Sequence, residues 1–115
     1  MPYDCLTVKL RVPSRFNDFA FTEAVNRLLW QKLAMDPKET GLLCFYREPA
    51  IVEPMFSAYD IEATIRVEPG KVGEQKMWQA IQQYLTTNCG FTKEEGYVRD
   101  VSIRNDIHRT ELGGR

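Results

Sequence analysis

Apolar and polar residues alternate strictly along residues 57–68, SAYDIEATIRVE. Successive side chains of a β-strand point to opposite faces of the sheet, so a period of two predicts a strand with one buried face. The apolar members are Tyr59, Ile61, Ala63, Ile65 and Val67. Residues 5–12, CLTVKLRV, show the same pattern, and their apolar members are Leu6, Val8, Leu10 and Val12. Two one-sided strands require a second layer that covers their apolar faces.

Two segments with helical periodicity can supply that layer. In the first, Thr22 is the expected N-cap, unless the polar and aromatic run from Ser14 adds an earlier turn. The second runs from about Val72 to Asn88, and Gly90 follows it where a left-handed C-cap is expected. The first apolar stripe comprises Phe21, Ala24, Val25, Leu28 and Leu29. The second comprises Met77, Ala80, Ile81, Tyr84 and Leu85.

Two further strands complete the order β-α-β-β-α-β. One begins at Gly41 and ends at about Arg47, and the other covers residues 96–104 with Val101 and Ile103 inward. This order resembles the ferredoxin-like fold, an α+β sandwich of a four-stranded antiparallel sheet with two helices on one face. Right-handed crossovers predict the strand order 4-1-3-2. We expect residues 1–104 to form a single domain and residues 105–115 to form a polar C-terminal tail.

Composition argues against several classes of partner and location. The 15 basic and 16 acidic residues give a net charge of −1, whereas nucleic-acid binders usually carry a basic excess. No apolar run approaches the roughly 20 residues of a membrane span, and the N-terminus does not resemble a signal peptide. Three widely spaced cysteines are typical of a reducing compartment. We therefore expect a cytoplasmic protein that binds neither nucleic acid nor membrane.

No catalytic, cofactor or metal-binding constellation is visible in the sequence. The single histidine, His108, lies in the predicted tail, and nothing near Cys89 is expected to lower its pKa. The short cysteine spacing of structural zinc sites and the glycine-rich phosphate motifs are both missing. We therefore expect no enzyme activity, no cofactor and no metal.

Charged side chains occupy the outer face of the two alternating strands. Cross-strand pairing is the simplest explanation for them. The alternative is a pocket on this open face that binds a small molecule. RRM domains share this topology, but they carry stacking aromatics on the two central strands, and here those positions are not aromatic. The open-face residues are Lys9, Arg11, Asp60, Glu62 and Arg66.

The segment CFYREPAIVEPMF, residues 44–56, is too apolar for an ordinary surface connection. Its first part, CFYRE, is the end of a strand that is apolar on both faces, and PAIVEPMF is a proline-bounded loop. The predicted order places this strand at a sheet edge, where it needs a cover or a partner. Trp30 also lies off the apolar stripe of its helix. Either these residues are covered within the molecule, Trp30 by Ile107 and Leu112 of the tail, or they contact a partner. The candidate partner-binding residues are Trp30, Leu43, Phe45, Ile51, Val52, Met55 and Phe56.

These observations favour a small, non-enzymatic protein-binding module that regulates or inhibits a larger protein partner, as a homodimer paired through its second strand. Inhibitors encoded by phages or mobile elements are often compact single domains, and that is one form this role can take. One alternative is a small-molecule sensor or a ferredoxin-like dimeric enzyme with a pocket on the open sheet face. A weaker alternative is a nucleic-acid-binding accessory protein.

Overall fold

A computed structural model of the chain describes residues 3–50 and 58–105. The elements are β1 (Asp4–Pro13), α1 (Asp18–Arg27), β2 (Gly41–Pro49), β3 (Ala58–Val67), α2 (Glu74–Gln83) and β4 (Tyr97–Asn105). This order and the antiparallel pairing of all neighbouring strands confirm the predicted α+β fold. Neither helix is long and apolar enough to cross a membrane, within the ranges described.

The strands lie in the order β2-β3-β1-β4, which is the 4-1-3-2 order read from the other edge. β1 and β3 are therefore central, and β2 and β4 are the two edge strands. β1 pairs with β3 in unbroken register from Asp4 opposite Val67 to Pro13 opposite Ala58. The two strands with the clearest alternation thus form the middle of the sheet.

One hydrophobic core lies between the sheet and both helices. The inward side chains of β1 are all fully buried, as are Phe21 and Leu29 on the first helix and Leu85 on the second. They belong to a single cluster with the buried residues of β3 and β4, so both helices cover the same face. The inward row of β1 comprises Leu6, Val8, Leu10 and Val12.

A bulge in β4 breaks the alternation that the sequence displays. Val101 lies opposite Val8 and Val98 opposite Leu10, so two residues of β4 face the single residue Lys9 of β1. Both valines therefore point into the core, and Val98 is 5% exposed. Strict alternation within residues 96–104 predicts Val101 inward and Val98 outward. The bulge that turns Val98 inward depends on pairing with β1, so β4 alone does not reveal it.

A second bulge lies in β2, where Leu42 pairs with Ile65 and Cys44 with Thr64. Leu43 is the extra residue. Leu42 and Phe45 consequently both pack against the core, although they are three residues apart. The bulge explains why this strand reads as apolar on both faces.

The first helix begins earlier than its predicted cap. Asn17 is the N-cap, and its side-chain oxygen accepts a hydrogen bond from the Ala20 amide at 3.0 Å. Thr22 instead lies inside the helix and donates its hydroxyl to the Asp18 carbonyl. Thr22 is thus wrong as the cap. The apolar stripe that packs on the core begins only at Phe21, a full turn after the cap. The periodicity of apolar residues therefore does not reveal the first turn of the helix.

The two helices end in the same way. Each continues into a π-helical turn, Leu28–Lys32 after α1 and Tyr84–Asn88 after α2. Each then places one residue in the left-handed region, Ala34 at φ 52° and Gly90 at φ 71°. The next residue is buried and donates its amide to the carbonyl six residues back, at 2.9 Å after α1 and 3.1 Å after α2. Gly90 matches its prediction, whereas alanine adopts this conformation at a cost.

Reciprocal substitutions at these two positions test that account. Ala34→Gly should raise the free energy of unfolding by about 0.5–1 kcal/mol, since glycine relieves the left-handed strain. Gly90→Ala should lower it by a similar amount, because a β-carbon there would meet no atom within 4 Å and the cost is in the backbone alone. Urea unfolding of both variants measures the two effects. Shifts of the same sign would contradict the explanation.

Candidate functional site

The free edge of β4 is closed by side chains of α2. The Val98 amide donates to Oε1 of Gln82 at 2.9 Å, and the Ile103 amide donates to Oε2 of Glu74 at 2.9 Å. Trp78 lies one turn from each of these α2 residues and on the same side of the helix. Two of the amides that would otherwise pair with an added strand are therefore already satisfied here.

Among residues 3–50 and 58–105, the free edge of β2 receives a side-chain hydrogen bond at its beginning, where the Leu42 amide donates to Oδ1 of Asn26 at 3.2 Å. Further along, the Ala50 amide donates to the Ala58 carbonyl at 3.0 Å, across the hairpin. Backbone groups in an antiparallel pair face the partner strand at every second residue. Residues of the same parity as Ala50 therefore face β3. The amides and carbonyls of Phe45 and Arg47 point to the open side.

The Arg47 side chain does not shield this edge, because it is directed back into its own molecule. Its guanidinium contacts the Asp18 carboxylate at 2.6 Å and donates to the carbonyls of Phe16 and Ser14 at 3.2 and 3.1 Å. It also lies over the ring of Tyr59, 4.2 Å from the centroid. These contacts hold β2 against the start of α1 and the segment that precedes it.

Three exposed apolar or aromatic side chains surround the same edge, and we call them the β2 border: Phe19, Leu43 and Tyr46. Phe19 is 72% exposed, Leu43 47% and Tyr46 66%. Leu43 projects from the bulge, and Tyr46 lies on the open sheet face opposite Glu62. Phe19 lies two helical turns before Asn26 and therefore on the side of α1 that reaches β2.

The predicted partner-binding residues divide into three groups. Leu43 is exposed, as part of the β2 border. Phe45 is half-buried against the core, with its ring centroid 6.1 Å from that of Phe21. Trp30 also packs against the core, and its indole N–H donates to the Thr40 carbonyl at 3.3 Å. The α1–β2 connection thus contacts Trp30 through Thr40. Ile51, Val52, Met55 and Phe56 lie outside the described residues, as do Ile107, His108 and Leu112 of the predicted tail.

Sequence reasoning did not select Phe19 or Tyr46. Phe19 directly precedes the helical stripe, and a cap placed at Thr22 left it outside the helix. Tyr46 belongs to the strand that the sequence predicts to be apolar on both faces, and the face it occupies depends on the bulge at Leu43. Correct placement of the Asn17 cap would have put Phe19 in the first turn, away from the core stripe.

Charged side chains on the open sheet face pair with one another. Arg11 binds Asp60 with two hydrogen bonds, 2.9 Å from Nε to Oδ1 and 3.1 Å from Nη2 to Oδ2. Arg99, which the β4 bulge directs outward, lies 3.3 Å from Oδ1 of the same carboxylate. The hydrogen bonds from Arg11, with the positive charges of Arg11 and Arg99, lower the pKa of Asp60 although partial burial opposes them. The predicted charge pairing is present at Asp60.

The remaining open-face residues form a mixed surface. Lys9 is exposed and lies opposite Glu62. Both line a shallow depression of about 290 Å³ together with Asp60 and Tyr46. Arg66 lies at the other end of the sheet with its guanidinium 4.5 Å from the ring centroid of Tyr3. The five predicted residues are thus spread along the face, and Arg66 is separate from the depression.

The cysteines do not form a reactive or metal-binding group in the described part of the chain. Cys44 is exposed on β2, and Cys89 is half-buried after α2. Burial raises the pKa of the Cys89 thiol, and its hydrogen bond with Tyr84 opposes that shift only in part. Residues 3–50 and 58–105 contain no cluster of three metal-ligating side chains.

No family model and no curated protein matches the chain. Among solved structures, the full extracellular region of zebrafish Gpr126/Adgrg6 is similar over 90% of this chain, with 4% identity and a TM-score of 0.47. The matched part is 13% of that protein's chain. A similarity at this level supports no conclusion about function.

The Asp60 ion pairs predict a pH-dependent contribution to stability. The pKa of Asp60 in the folded protein lies below its ordinary value of 3.8, so the stabilisation is complete above pH 3.8 and declines as the pH falls through the lowered pKa. Asp60→Asn should therefore lower the free energy of unfolding by about 1–2 kcal/mol at pH 7. Urea unfolding at fixed protein concentration should show this loss shrinking as the pH falls below 3.8.

Glu62→Gln is the matched control, since Glu62 is exposed on the same strand face. Glu62→Gln should change the free energy of unfolding little, both at pH 7 and below pH 3.8. A difference between wild type and Asp60→Asn that is equal at pH 7 and at low pH would contradict the ion-pair explanation.

Proposed function

We propose that this protein is a small protein-binding module that regulates or inhibits a larger partner by accepting an extended segment of that partner along β2. The observation that carries the proposal is the open edge at Phe45 and Arg47, bordered by exposed Leu43 and Tyr46. Strand addition uses the unpaired backbone groups of an edge for affinity, and neighbouring side chains supply specificity.

The contrast between the two sheet edges supports this proposal. Proteins ordinarily protect an edge strand with charges, bulges or a covering element. β4 has its cover in α2, through Glu74 and Gln82. β2 has a bulge at Leu43, but from Cys44 onward its outer side carries the exposed Tyr46 side chain and the outward-directed amides of Phe45 and Arg47. An edge left open beside a closed one is consistent with a binding role.

The β2 border gives the edge apolar contacts on more than one side. Tyr46 lies on the open sheet face, and Phe19 lies on the helix layer. Aromatic side chains are enriched at the energetic centres of protein interfaces. An added segment would meet backbone pairing at β2, with Tyr46 beside one face and Phe19 beside the other.

A small-molecule site in the open-face depression is less well supported. Asp60, the carboxylate in this depression whose pKa is lowered, already accepts hydrogen bonds from Arg11 and contacts Arg99. A ligand that needed this carboxylate would have to displace those partners. Enzymatic activity therefore does not form part of the proposal.

Site-specific photo-crosslinking tests the proposed contact in cells that naturally produce the protein. A photoreactive amino acid at Leu43 or Tyr46 should give a covalent adduct with a larger protein, because both side chains border the proposed contact. The adducts are identified by mass spectrometry. The same replacement at Ser102, exposed on β4, is the control and should not capture that protein.

Introduction of negative charge provides an independent readout. Leu43→Glu combined with Tyr46→Glu should abolish capture by a photoreactive residue at Phe19, since the added charges oppose burial of the edge. Loss of capture with an unchanged circular dichroism spectrum would support the proposal. Equal capture from Ser102, or no adduct at any β2 border position, would overturn it.

A further inference from the structure

β2 presents a short pattern of backbone groups on its open side. The N–H and C=O groups of Phe45 and Arg47 are directed outward, as the hydrogen bond between Ala50 and Ala58 fixes by alternation. Tyr46 lies between them, and its own backbone groups face β3 opposite Glu62. Pro49, the next outward position, has no N–H. The pattern is therefore centred on Tyr46.

We propose that, in the isolated protein, a second copy of this chain occupies the edge, with the two β2 strands antiparallel about a two-fold axis at Tyr46. Phe45 of each copy then lies opposite Arg47 of the other. In an antiparallel ladder such a pair exchanges both N–H···O=C bonds, so every outward group of the two residues gains a partner. The sheet becomes continuous through the two molecules. This inference rests on the proposed function, because it concerns the same edge.

Neighbouring two-fold registers place Phe45 or Arg47 opposite a less suitable residue. With the axis at Arg47, the two Arg47 residues face each other and Phe45 faces Pro49, which cannot donate a hydrogen bond. With the axis at Phe45, Arg47 faces Leu43, which is the bulged residue. The axis at Tyr46 pairs Phe45 and Arg47 only with each other, and it places Pro49 opposite the bulged Leu43 outside this central pair. The central pair thus lies within the regular part of the strand.

Side chains on the open face fit the same register. The two Tyr46 residues meet at a non-hydrogen-bonded site, where opposite side chains approach most closely, and aromatic pairs are favourable there. Glu48 of each copy lies opposite Cys44 of the other, so no like charges are opposed. Arg47 is neutralised within its own molecule by Asp18 at 2.6 Å. The edge is thus complementary to itself in backbone pattern and in charge.

The helix layer adds a contact on the other face. α1 lies on the β2 side of the sheet, since Asn26 bonds to Leu42 and Asp18 to Arg47. Adjacent strands are about 4.8 Å apart, so pairing of the two β2 strands brings the two α1 helices close to the axis. Phe19, 72% exposed in the single chain, lies on that side. The second copy would therefore cover part of each residue of the β2 border.

The arrangement would regulate the proposed function. A larger partner that adds a strand at β2 needs the same outward groups that the second copy uses. Partner binding and self-pairing are therefore mutually exclusive, and the second copy protects the edge until the partner replaces it.

The mass in solution is the first test. Sedimentation velocity over a dilution series should give wild type a mass of twice the 13.4 kDa chain at high concentration. Tyr46→Lys places like charges on the axis at an exposed position and should give the single-chain mass over the same series. Ser102→Lys, also exposed on the open face but on β4, should retain the wild-type behaviour.

Disulfide trapping tests the register. Non-hydrogen-bonded antiparallel pairs have Cα atoms about 4.5 Å apart, within the range of a disulfide. Tyr46→Cys combined with Cys44→Ser should therefore link two copies on mild oxidation. Cys44→Ser alone, with the half-buried Cys5 and Cys89 retained, should not. A register centred on Phe45 would instead require Cys44 opposite position 46, so it would give no link in the double variant.

The outcomes separate the two proposals. A wild-type protein with the single-chain mass throughout, or a dimer that neither responds to Tyr46→Lys nor forms the position-46 disulfide, overturns the self-pairing. If the protein stays single but Leu43 and Tyr46 still capture a larger protein, only the self-pairing fails. If these positions capture nothing but a second copy, the self-pairing stands and the regulation of a larger partner fails.

Discussion

The burial of the inward face of β1 is the constraint on which the rest of the structure depends. Leu6, Val8, Leu10 and Val12 are all fully buried, and burial of each Leu or Val side chain contributes roughly 1.5–3 kcal/mol. β3 and β4 hold their register by pairing with this strand, and both helices pack on the apolar layer that it centres. The outward face of the same strand carries Lys9 and Arg11, so β1 also determines which face of the sheet stays open.

This architecture was largely predictable from the sequence because most of its determinants are local. The alternation in residues 57–68 and the two helical stripes identify the elements, and one-sided elements have few ways to bury their apolar faces. The open-face pairing of Arg11 with Asp60 was predictable for the same reason. It follows from two strands of known parity placed side by side.

The candidate site was less predictable because it depends on pairing between distant segments. Two bulges redirect Leu43 and Arg99, and neither leaves a signal in its own strand. The Arg47 side chain, which could have covered an edge, instead donates to two carbonyls between β1 and α1 and to the Asp18 carboxylate at the start of α1. Trp30 was singled out for its position on a helical wheel, but the wheel does not show the α1–β2 connection that packs beside it. Edge exposure is a property of the assembled sheet.

The closed edge at β4 also determines what kind of assembly the open edge permits. A sheet with two open edges can add molecules at both sides and extend into a fibril, which is the hazard of unprotected strands. Here the outer strand of any two-fold pair is β4, with the Val98 and Ile103 amides bonded to α2. These bonds oppose further strand addition at β4, so growth beyond two molecules is disfavoured. The side chains of Glu74 and Gln82, remote from β2, make self-association at β2 self-limiting.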